Sequence, residues 1–166
     1  MANDIMIVND FLSASECEQM FVLFNTTPFR KNETGNWAYR VKWPVYPENL
    51  LARIRDERIK ICQEFFGEPL EIDNLNMTLW NTGNGMAPHR DDGGQQEYPH
   101  RKYASIIYLN DDYEGGVLFI PQINFTNKPK RGQLVSFPGI KYAHGVTQVT
   151  FGTRLTSICW MKPSVS

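Results

Sequence analysis

The sequence predicts a mainly β protein with flanking helices, and two observations predict this class. From Leu75 onward, short apolar runs alternate with turn residues, which is typical of an all-β half. Before that point, two stretches repeat apolar residues at the spacing of an amphipathic helix. The 166 residues are 42% hydrophobic, enough for one buried core. We therefore expect a single domain over residues 1–166, helical to about residue 70 and β over about 71–161.

The first predicted elements are a short strand and a helix. The apolar run at residues 5–8 fits a strand, and Ser13 with Glu16 three positions later is a capping box that opens a helix to about Asn25. Apolar residues then recur at i, i+3, i+4 and i+7, which predicts one buried stripe. The stripe consists of Cys17, Met20, Phe21 and Phe24.

A second helix is predicted to begin at Pro47, because proline is favoured in the first helical turn, and to end near Gly67. Its apolar positions should face the sheet: Leu50, Leu51, Ile54, Ile61, Cys62, Phe65 and Phe66. Its charged positions should form a solvated face: Arg53, Arg55, Asp56, Glu57 and Lys60.

A metal site is predicted by His89 and Asp91 together with the distant His144. Residues two apart on a strand point to the same face, so His89 and Asp91 are expected to grip one ion from a strand. His144 would complete a set of three ligands. Two imidazoles and one carboxylate leave open coordination positions, as in a non-haem Fe(II) oxygenase. A structural zinc site is more often closed by four ligands.

Arg154 is the candidate anion-binding residue. Two β-rich runs meet at a Gly152 turn, which predicts that Arg154 lies on a strand adjacent to that of His144. A guanidinium can hold a carboxylate through two parallel hydrogen bonds, so Arg154 suits a dicarboxylate cosubstrate.

Strand alternation assigns the neighbours of Arg154 to two faces. If Arg154 points inward, its alternate neighbours do so as well: Thr156, Ile158 and Trp160. The intervening residues would face away from the interior, under the helices: Leu155, Ser157 and Cys159. Thr156 and Trp160 are thus candidate walls of the cosubstrate pocket, although plain core packing is an equal alternative for Trp160.

A series of motifs follows in order between residues 75 and 161: WNTG at 80–83, HRD at 89–91, IIYLN at 106–110, EGG at 114–116, GQLVSF at 132–137, HGV at 144–146, and GTR at 152–154 with Trp160 beyond. Their order and spacing resemble those of the 2-oxoglutarate and Fe(II)-dependent dioxygenases of the prolyl 4-hydroxylase type. The resemblance covers about half of the chain.

This resemblance implies a double-stranded β-helix (jelly roll, cupin-like), with the N-terminal helices packed on one sheet and iron near one open end. It implies Fe(II) and 2-oxoglutarate as cofactors, with ascorbate as an accessory reductant. Arg154 would neutralise the far carboxylate of 2-oxoglutarate, and the Tyr108 hydroxyl would donate to the same carboxylate. Alternation places Tyr108 on one face with Ala104 and Ile106 without deciding which face is inside. Asp91, where Gly or Ala would vacate a ligand position, favours hydroxylation over halogenation.

The chain departs from the family pattern at Trp80, where relatives usually carry a tyrosine. An indole can only donate a hydrogen bond, so cosubstrate affinity or the shape of the pocket is expected to differ. Trp80 is therefore a cosubstrate-binding candidate with an altered role.

Residues 92–101 directly follow the metal ligand Asp91 and include Gly93-Gly94. A mobile lid that closes over a peptide and an ordinary hydrophilic hairpin loop are equally open interpretations. The substrate-binding candidates in this segment are Tyr98, His100 and Arg101, although a surface position is the default for His100 and Arg101.

Composition excludes several classes of partner. A formal net charge of −1 provides no basic field for nucleic acid. No apolar run approaches the ~20 residues that span a membrane, and the N-terminus lacks a signal-peptide pattern. Three widely spaced cysteines, Cys17, Cys62 and Cys159, suit buried thiols in a reducing compartment. We expect a cytoplasmic monomer without nucleic-acid or membrane partners.

With the resemblance, these observations predict an Fe(II)- and 2-oxoglutarate-dependent hydroxylase, a prolyl 4-hydroxylase acting on a protein or peptide. Two alternatives stay open: a dioxygenase acting on a free small molecule, and a non-catalytic cupin-like module that binds a metal or ligand. Succinate production separates the enzymes from the module. A nucleic-acid repair enzyme of the same superfamily is disfavoured, because Trp160 stands where its pattern has a second arginine.

Overall fold

The computed structural model describes residues 4–26, 30–31, 39–42, 49–93 and 98–164. The helices are α1 (Ala14–Thr26) and α2 (Asn49–Phe66), with a short 3-10 turn at Pro121–Ile123. The strands are β1 (Met6–Val8), β2 (Arg30–Lys31), β3 (Tyr39–Lys42), β4 (Leu70–Asn81), β5 (Met86–His89), β6 (Tyr103–Tyr108), β7 (Glu114–Gly115), β8 (Leu118–Ile120), β9 (Phe125–Asn127), β10 (Leu134–Phe137), β11 (His144–Val146), β12 (Val149–Phe151) and β13 (Thr153–Pro163).

The strands form two antiparallel sheets of a double-stranded β-helix, as predicted. The larger sheet has the order β1-β10-β6-β13-β4-β3-β2, and the smaller has the order β5-β11-β8-β9. A separate pair joins β12 to β7. Every residue of β6 and β10 is buried. Their near-continuous apolar sequences fit this position, since a central strand that is covered on both faces buries both sets of side chains.

The larger sheet carries a separate apolar layer on each face. On one face, Leu155 and Cys159 pack with Met20 of α1 and Ile54 of α2. On the other face, buried residues of β6, β10 and β13 pack with Leu118 and Ile120 of the smaller sheet. The predicted alternation along β13 and the predicted packing of the helices on one sheet are both confirmed.

Helix α1 begins with the predicted capping box. The Ser13 N–H donates to Glu16 Oε2 at 2.8 Å, and the Glu16 N–H donates to Ser13 Oγ at 3.2 Å. The predicted stripe is wrong at Phe21, which is 41% exposed. Only the i, i+3 and i+7 positions face the sheet, and Phe21 lies on the flank of that stripe. The buried positions are Cys17, Met20 and Phe24.

Helix α2 runs from Asn49 to Phe66, and the predicted start at Pro47 lies outside the described residues. Its predicted apolar face holds except at Phe65, which is 40% exposed. Phe66 instead makes the inward contact at the helix end, stacking on Tyr103 with ring centroids 3.9 Å apart. Arg53, predicted to be solvated, pairs with Glu16 of α1 and with Glu57 at 2.8 Å, so it ties the two helices together.

The burial of Arg58 in α2 is unexpected, because its side chain is fully buried although its neighbours in the sequence are charged. Its Nη2 donates to Ser157 Oγ at 2.8 Å on the outer face of β13. Burial lowers the pKa of the guanidinium, and nearby Cys159 and Cys62 oppose that effect. Arg58 therefore anchors the helix to the strand that carries Arg154.

All three cysteines are buried and free, as predicted. Burial raises the pKa of the Cys17 and Cys159 thiols to about 11, which makes both thiols unreactive at neutral pH. Neither described helix is both long and apolar enough to cross a membrane.

Candidate metal and cosubstrate site

Two histidines face each other across the smaller sheet. His144 on β11 is the register partner of His89 on β5, and their ring centroids lie 4.7 Å apart. Each Nδ1 is within hydrogen-bonding distance of a backbone carbonyl two residues earlier: Ala87 O at 3.2 Å and Tyr142 O at 3.0 Å. If both Nδ1 atoms donate these bonds, both Nε2 lone pairs are available to an ion.

Asp91 joins the histidines by a different route from the one predicted. It lies in the turn after β5 and not on the strand itself. Its N–H donates to Gly139 O at 3.1 Å, which fixes the turn against the segment that leads into β11. A Cβ added at Gly139 would lie 1.9 Å from Asp91 Oδ2. The carboxylate can occupy this position only because residue 139 has no side chain.

The three predicted ligands form one cluster. Their ligand atoms all lie within 4.8 Å of one another. Asp91 Oδ1 is 3.8 Å from His89 Nε2 and 3.6 Å from His144 Nε2. Asp91 and His144 are buried, whereas the His89 side chain is 39% exposed. Two imidazole nitrogens and one carboxylate on one side of a cavity suit Fe(II) and leave room for further ligands.

Asp91 and His144 each favour the charged form of the other. Burial raises the pKa of Asp91, but His144, Trp160 and His89 outweigh that effect, so the pKa lies below its usual value. Burial lowers the pKa of His144, but the Asp91 carboxylate outweighs it and raises the pKa. Asp91 is therefore an anion at neutral pH, as a metal ligand must be.

Arg154 lies on β13 in the larger sheet, and the prediction that it is adjacent to the strand of His144 is wrong. The turn at Gly152 carries the chain from β12 into the other sheet, so Arg154 reaches the cavity from the side opposite the histidines. Its guanidinium carbon lies 5.2 Å from the Trp80 ring centroid and 5.3 Å from that of Tyr108. Trp80, the departure from the family pattern, therefore lies against the cation of Arg154.

The surroundings of Arg154 fit a carboxylate. Arg154 is 1% exposed, and Tyr108 is fully buried. In the part of the chain that the structure describes, Arg154 Nε and the hydroxyls of Tyr108 and Tyr113 form no hydrogen bond of good geometry. Burial raises the pKa of both phenols, and the nearby Arg154 charge opposes that effect. Buried donors that lack partners are costly unless a ligand or water satisfies them, and a dicarboxylate would do so here.

One cavity joins the two halves of the site. Its polar and aromatic lining comprises His89, Asp91, His144, Arg154, Thr156, Thr78, Trp80 and Trp160. Thr156 Oγ1 donates to Thr78 O at 3.4 Å, so this predicted cosubstrate residue is oriented by its neighbour on β4. The predicted inward face of β13 is thereby confirmed, and Tyr108 lies on that side of the sheet.

The substrate candidates separate into two kinds. Tyr98 and His100 are exposed. Arg101 is not a surface residue, because its side chain is only 9% exposed and its Nε donates to Asp73 Oδ2 at 2.7 Å. Residues 94–97 of the predicted lid lie outside the described residues, so lid motion stays a prediction.

Two residues that shape the site were not predicted from the sequence. Tyr113 places a buried phenol beside Arg154, and Gly139 makes room for Asp91. A Cβ at Gly116 would lie 2.8 Å from Arg154 Cδ and 3.0 Å from Tyr113 Cε2. The glycines in the EGG motif and after Pro138 were available signals, but the site residues on which they pack, Arg154 and Asp91, are distant in sequence.

Residues 75–162, more than half of the chain, match the family described as the 2OG-Fe(II) oxygenase superfamily. The chain therefore belongs to this superfamily of oxygenases. Prolyl 3-hydroxylase 2 of Mus musculus is 35% identical over 211 residues, covering 93% of this chain and 29% of the relative. Prolyl 3-hydroxylase 3 of Homo sapiens is 39% identical over 69 residues, covering 38% of this chain and 9% of the relative. The chain spans less than a third of the length of these curated relatives.

Solved structures share the fold at low sequence identity. The viral collagen prolyl hydroxylase of Paramecium bursaria Chlorella virus 1, solved with 2-oxoglutarate, has a TM-score of 0.77 at 16% identity, with 96% of each chain covered. A prolyl-4-hydroxylase of Pseudomonas putida has a TM-score of 0.74 at 16% identity, covering 99% of this chain and 95% of the neighbour. These similarities support the double-stranded β-helix.

Proposed function

We propose that the protein is an Fe(II)- and 2-oxoglutarate-dependent dioxygenase that hydroxylates a prolyl residue of a protein or peptide. The observation that carries this proposal is the single cavity that has the His89, Asp91 and His144 cluster on one side and the buried Arg154 on the other. A metal cluster alone would suit a binding module. A buried cation across the same cavity adds the means to hold a dicarboxylate.

In this proposal, His89, Asp91 and His144 hold Fe(II). When bound, iron and 2-oxoglutarate supply the activation of O₂, in which 2-oxoglutarate is converted to succinate and CO₂ and a C–H bond is hydroxylated. The protein contributes by holding Asp91 ionised and by orienting both imidazoles through the backbone carbonyls of Ala87 and Tyr142.

Arg154 would neutralise the far carboxylate of 2-oxoglutarate, and Tyr108 and Tyr113, whose phenols lie near Arg154, would donate hydrogen bonds to it. The Trp80 ring lies against the guanidinium and helps to keep water away from this charge. Thr156 and Trp160 line the same cavity, on the β13 face that also carries Arg154. Arg154 and the metal cluster would thus hold the cosubstrate from opposite sides of the cavity between the two sheets.

The prolyl substrate is supported by the names of similar proteins. The curated relatives are named prolyl 3-hydroxylases, and the solved neighbours include a prolyl-4-hydroxylase and a prolyl hydroxylase in complex with a hypoxia inducible factor peptide. Hydroxylation at carbon 4 is the earlier prediction, and hydroxylation at carbon 3 is the alternative that the curated names favour. The partly exposed His89 marks the side of the metal cluster from which a peptide would approach.

Further expectations belong to the same proposal. We propose a single domain over residues 1–166, a monomer, and a cytoplasmic location, which the three buried free thiols support. Ascorbate is proposed as an accessory reductant, and omitting it should slow repeated turnover.

The test is to incubate the protein with Fe(II), 2-oxoglutarate, O₂ and a library of blocked peptides that each contain one central proline. We expect succinate and a peptide that is heavier by one oxygen atom, and chromatography against 3- and 4-hydroxyproline standards identifies the carbon. Succinate without a modified peptide would direct the search to small molecules. Metal binding without succinate would support the non-catalytic module.

A further inference from the structure

Arg101 lies in a clamp formed by residues from three parts of the chain. Its Nε donates to Asp73 Oδ2 on β4 at 2.7 Å. Its guanidinium carbon lies 3.6 Å from the Tyr98 ring centroid and 4.6 Å from the Trp160 ring centroid. We call Asp73, Tyr98, Arg101 and Trp160 the Arg101 clamp.

The backbone holds the clamp in register with the sheet. The Arg101 N–H donates to Tyr98 O at 3.2 Å, which closes a turn, and the next residue, Lys102, donates to Met161 O at 2.8 Å. Trp160 and Asp73 belong to the paired strands β13 and β4. The guanidinium therefore contacts two rings at a point where backbone hydrogen bonds tie its own segment to the strand of Trp160.

The Trp160 indole belongs to the metal cavity as well as to the clamp. It lines the cavity beside Asp91, Ala104 and Ile158. Any rotation of this indole would therefore change the cavity wall next to a metal ligand.

Arg101 also lines an outer groove. This groove is lined by Pro99, His100, Arg101, Lys102, Ile140, Lys162 and Pro163. Ile140 directly follows Gly139, which packs on Asp91. A single buried side chain thus connects the surface beside the substrate candidates with the wall of the metal cavity.

The residue type suits this position. A guanidinium is planar and can stack on two rings while its edge donates to a carboxylate, whereas a lysine ammonium can pair with the carboxylate but cannot stack. We propose that Arg101 is a positioning residue, which holds the Trp160 indole in the cavity wall and thereby aligns a peptide lying across the outer groove with the metal. This inference rests on the proposed prolyl hydroxylase function.

The clamp itself can be tested without turnover. The Trp160 indole N–H signal is assigned by its loss in Trp160→Phe, using ¹⁵N-labelled protein loaded with Zn(II) and 2-oxoglutarate. Arg101→Met, Arg101→Lys and Asp73→Asn should each shift this signal and speed its exchange with solvent, while the Trp80 indole signal stays in place. Lys141→Gln is the matched control, because Lys141 also pairs with a carboxylate, Asp4, and lies over a ring, Tyr142, but is far more exposed. An unchanged Trp160 signal in folded Arg101→Met protein overturns the clamp.

The alignment role is tested by the coupling ratio, which is the number of hydroxyproline residues formed per succinate. With a peptide that the wild type hydroxylates, Arg101→Met should make on the order of 10-fold fewer hydroxyproline residues per succinate, since small misplacement of a reactant is costly. The control Lys141→Gln should keep near-normal coupling. Normal coupling in Arg101→Met overturns the role. If the wild type hydroxylates no peptide, the proposed function and the alignment role fail together, and the indole signal alone decides the clamp.

Discussion

At the scale of single residues, the site depends on how closely Gly139 and His144 pack around the Asp91 carboxylate. Asp91 is held by the N–H bond to Gly139 O and by contact with the side-chain-free face of the same glycine. His144 lies 3.6 Å away, with its other nitrogen next to a carbonyl. The metal cluster is therefore set by the 139–144 segment as much as by the His-x-Asp motif.

Replacing His89, Asp91 or His144 with Ala should sharply weaken Fe(II) binding and abolish succinate formation, because a three-ligand site that loses one ligand loses both affinity and geometry. Anaerobic titration with Fe(II) and 2-oxoglutarate, followed by the visible charge-transfer band, measures the loss. Unchanged Fe(II) affinity in all three variants would contradict the assignment.

Gly139→Ala should weaken Fe(II) binding by about 10–100-fold, the usual cost of disturbing a residue that orients a metal ligand. The added methyl group would occupy the position of Asp91 Oδ2 and push the carboxylate out of the cluster. Gly67→Ala is the control for a strained glycine substitution away from the site, because a Cβ there meets nothing within 4 Å but the φ of 71° disfavours alanine. The same anaerobic titration applies, and equal affinity in the two glycine variants would show that Asp91 has more freedom than the structure indicates.

Arg154→Ala should raise the apparent 2-oxoglutarate requirement by 10-fold or more, since breaking a buried charge pair costs about 2–5 kcal/mol. Tyr108→Phe should cost on the order of 1 kcal/mol, the value of one hydrogen bond. Isothermal titration of 2-oxoglutarate into Zn(II)-loaded protein measures both. A larger loss in Tyr108→Phe than in Arg154→Ala would mean that the anchoring residues are assigned wrongly.

At the scale of elements, strand β13 links the helices to the cavity. Its inward residues Arg154, Thr156 and Trp160 line the cavity, whereas Ser157 on its outer face accepts a hydrogen bond from the buried Arg58 of α2. The helix therefore supports the cosubstrate side of the site from behind the sheet.

Ser157→Ala should lower the free energy of unfolding by about 1.5–3 kcal/mol, because it removes a hydrogen bond from a buried charged group. Urea denaturation measures this change. Ser15→Ala serves as the control, since Ser15 is exposed on α1 and should change stability little. Equal stability of the two variants would show that Arg58 has other partners that suffice.

Sequence reasoning succeeded where local rules decide the outcome. The capping box at Ser13 and Glu16 and the alternation along β13 were predicted correctly, since each depends on a spacing of a few residues. The three candidate ligands, His89, Asp91 and His144, lie in one cluster, as the sequence led us to expect. The predictions were wrong where a turn decides which strand or sheet the following residues join. The turns at Asp91 and Gly152 moved one ligand off its strand and placed Arg154 in the opposite sheet, and no local pattern encodes the sheet that a strand joins.

At the scale of the whole molecule, two sheets enclose the cavity and the helices close only the back of the larger sheet. The histidines come from the smaller sheet and Arg154 from the larger, so neither sheet could form the site alone.

The burial of Arg58 could not be predicted from the sequence, because a charged residue in a charged run is normally solvated. Only the tertiary contact with Ser157 shows why this one is buried.

In the proposed function this cavity couples 2-oxoglutarate to the hydroxylation of a peptide, and labelling with oxygen-18 gas follows both products of that reaction. We predict that one labelled oxygen atom appears in succinate and the other in the hydroxylated peptide, and that both disappear in His144→Ala. Unlabelled product that takes its oxygen from water, or labelled succinate without any labelled peptide, would rule out this function.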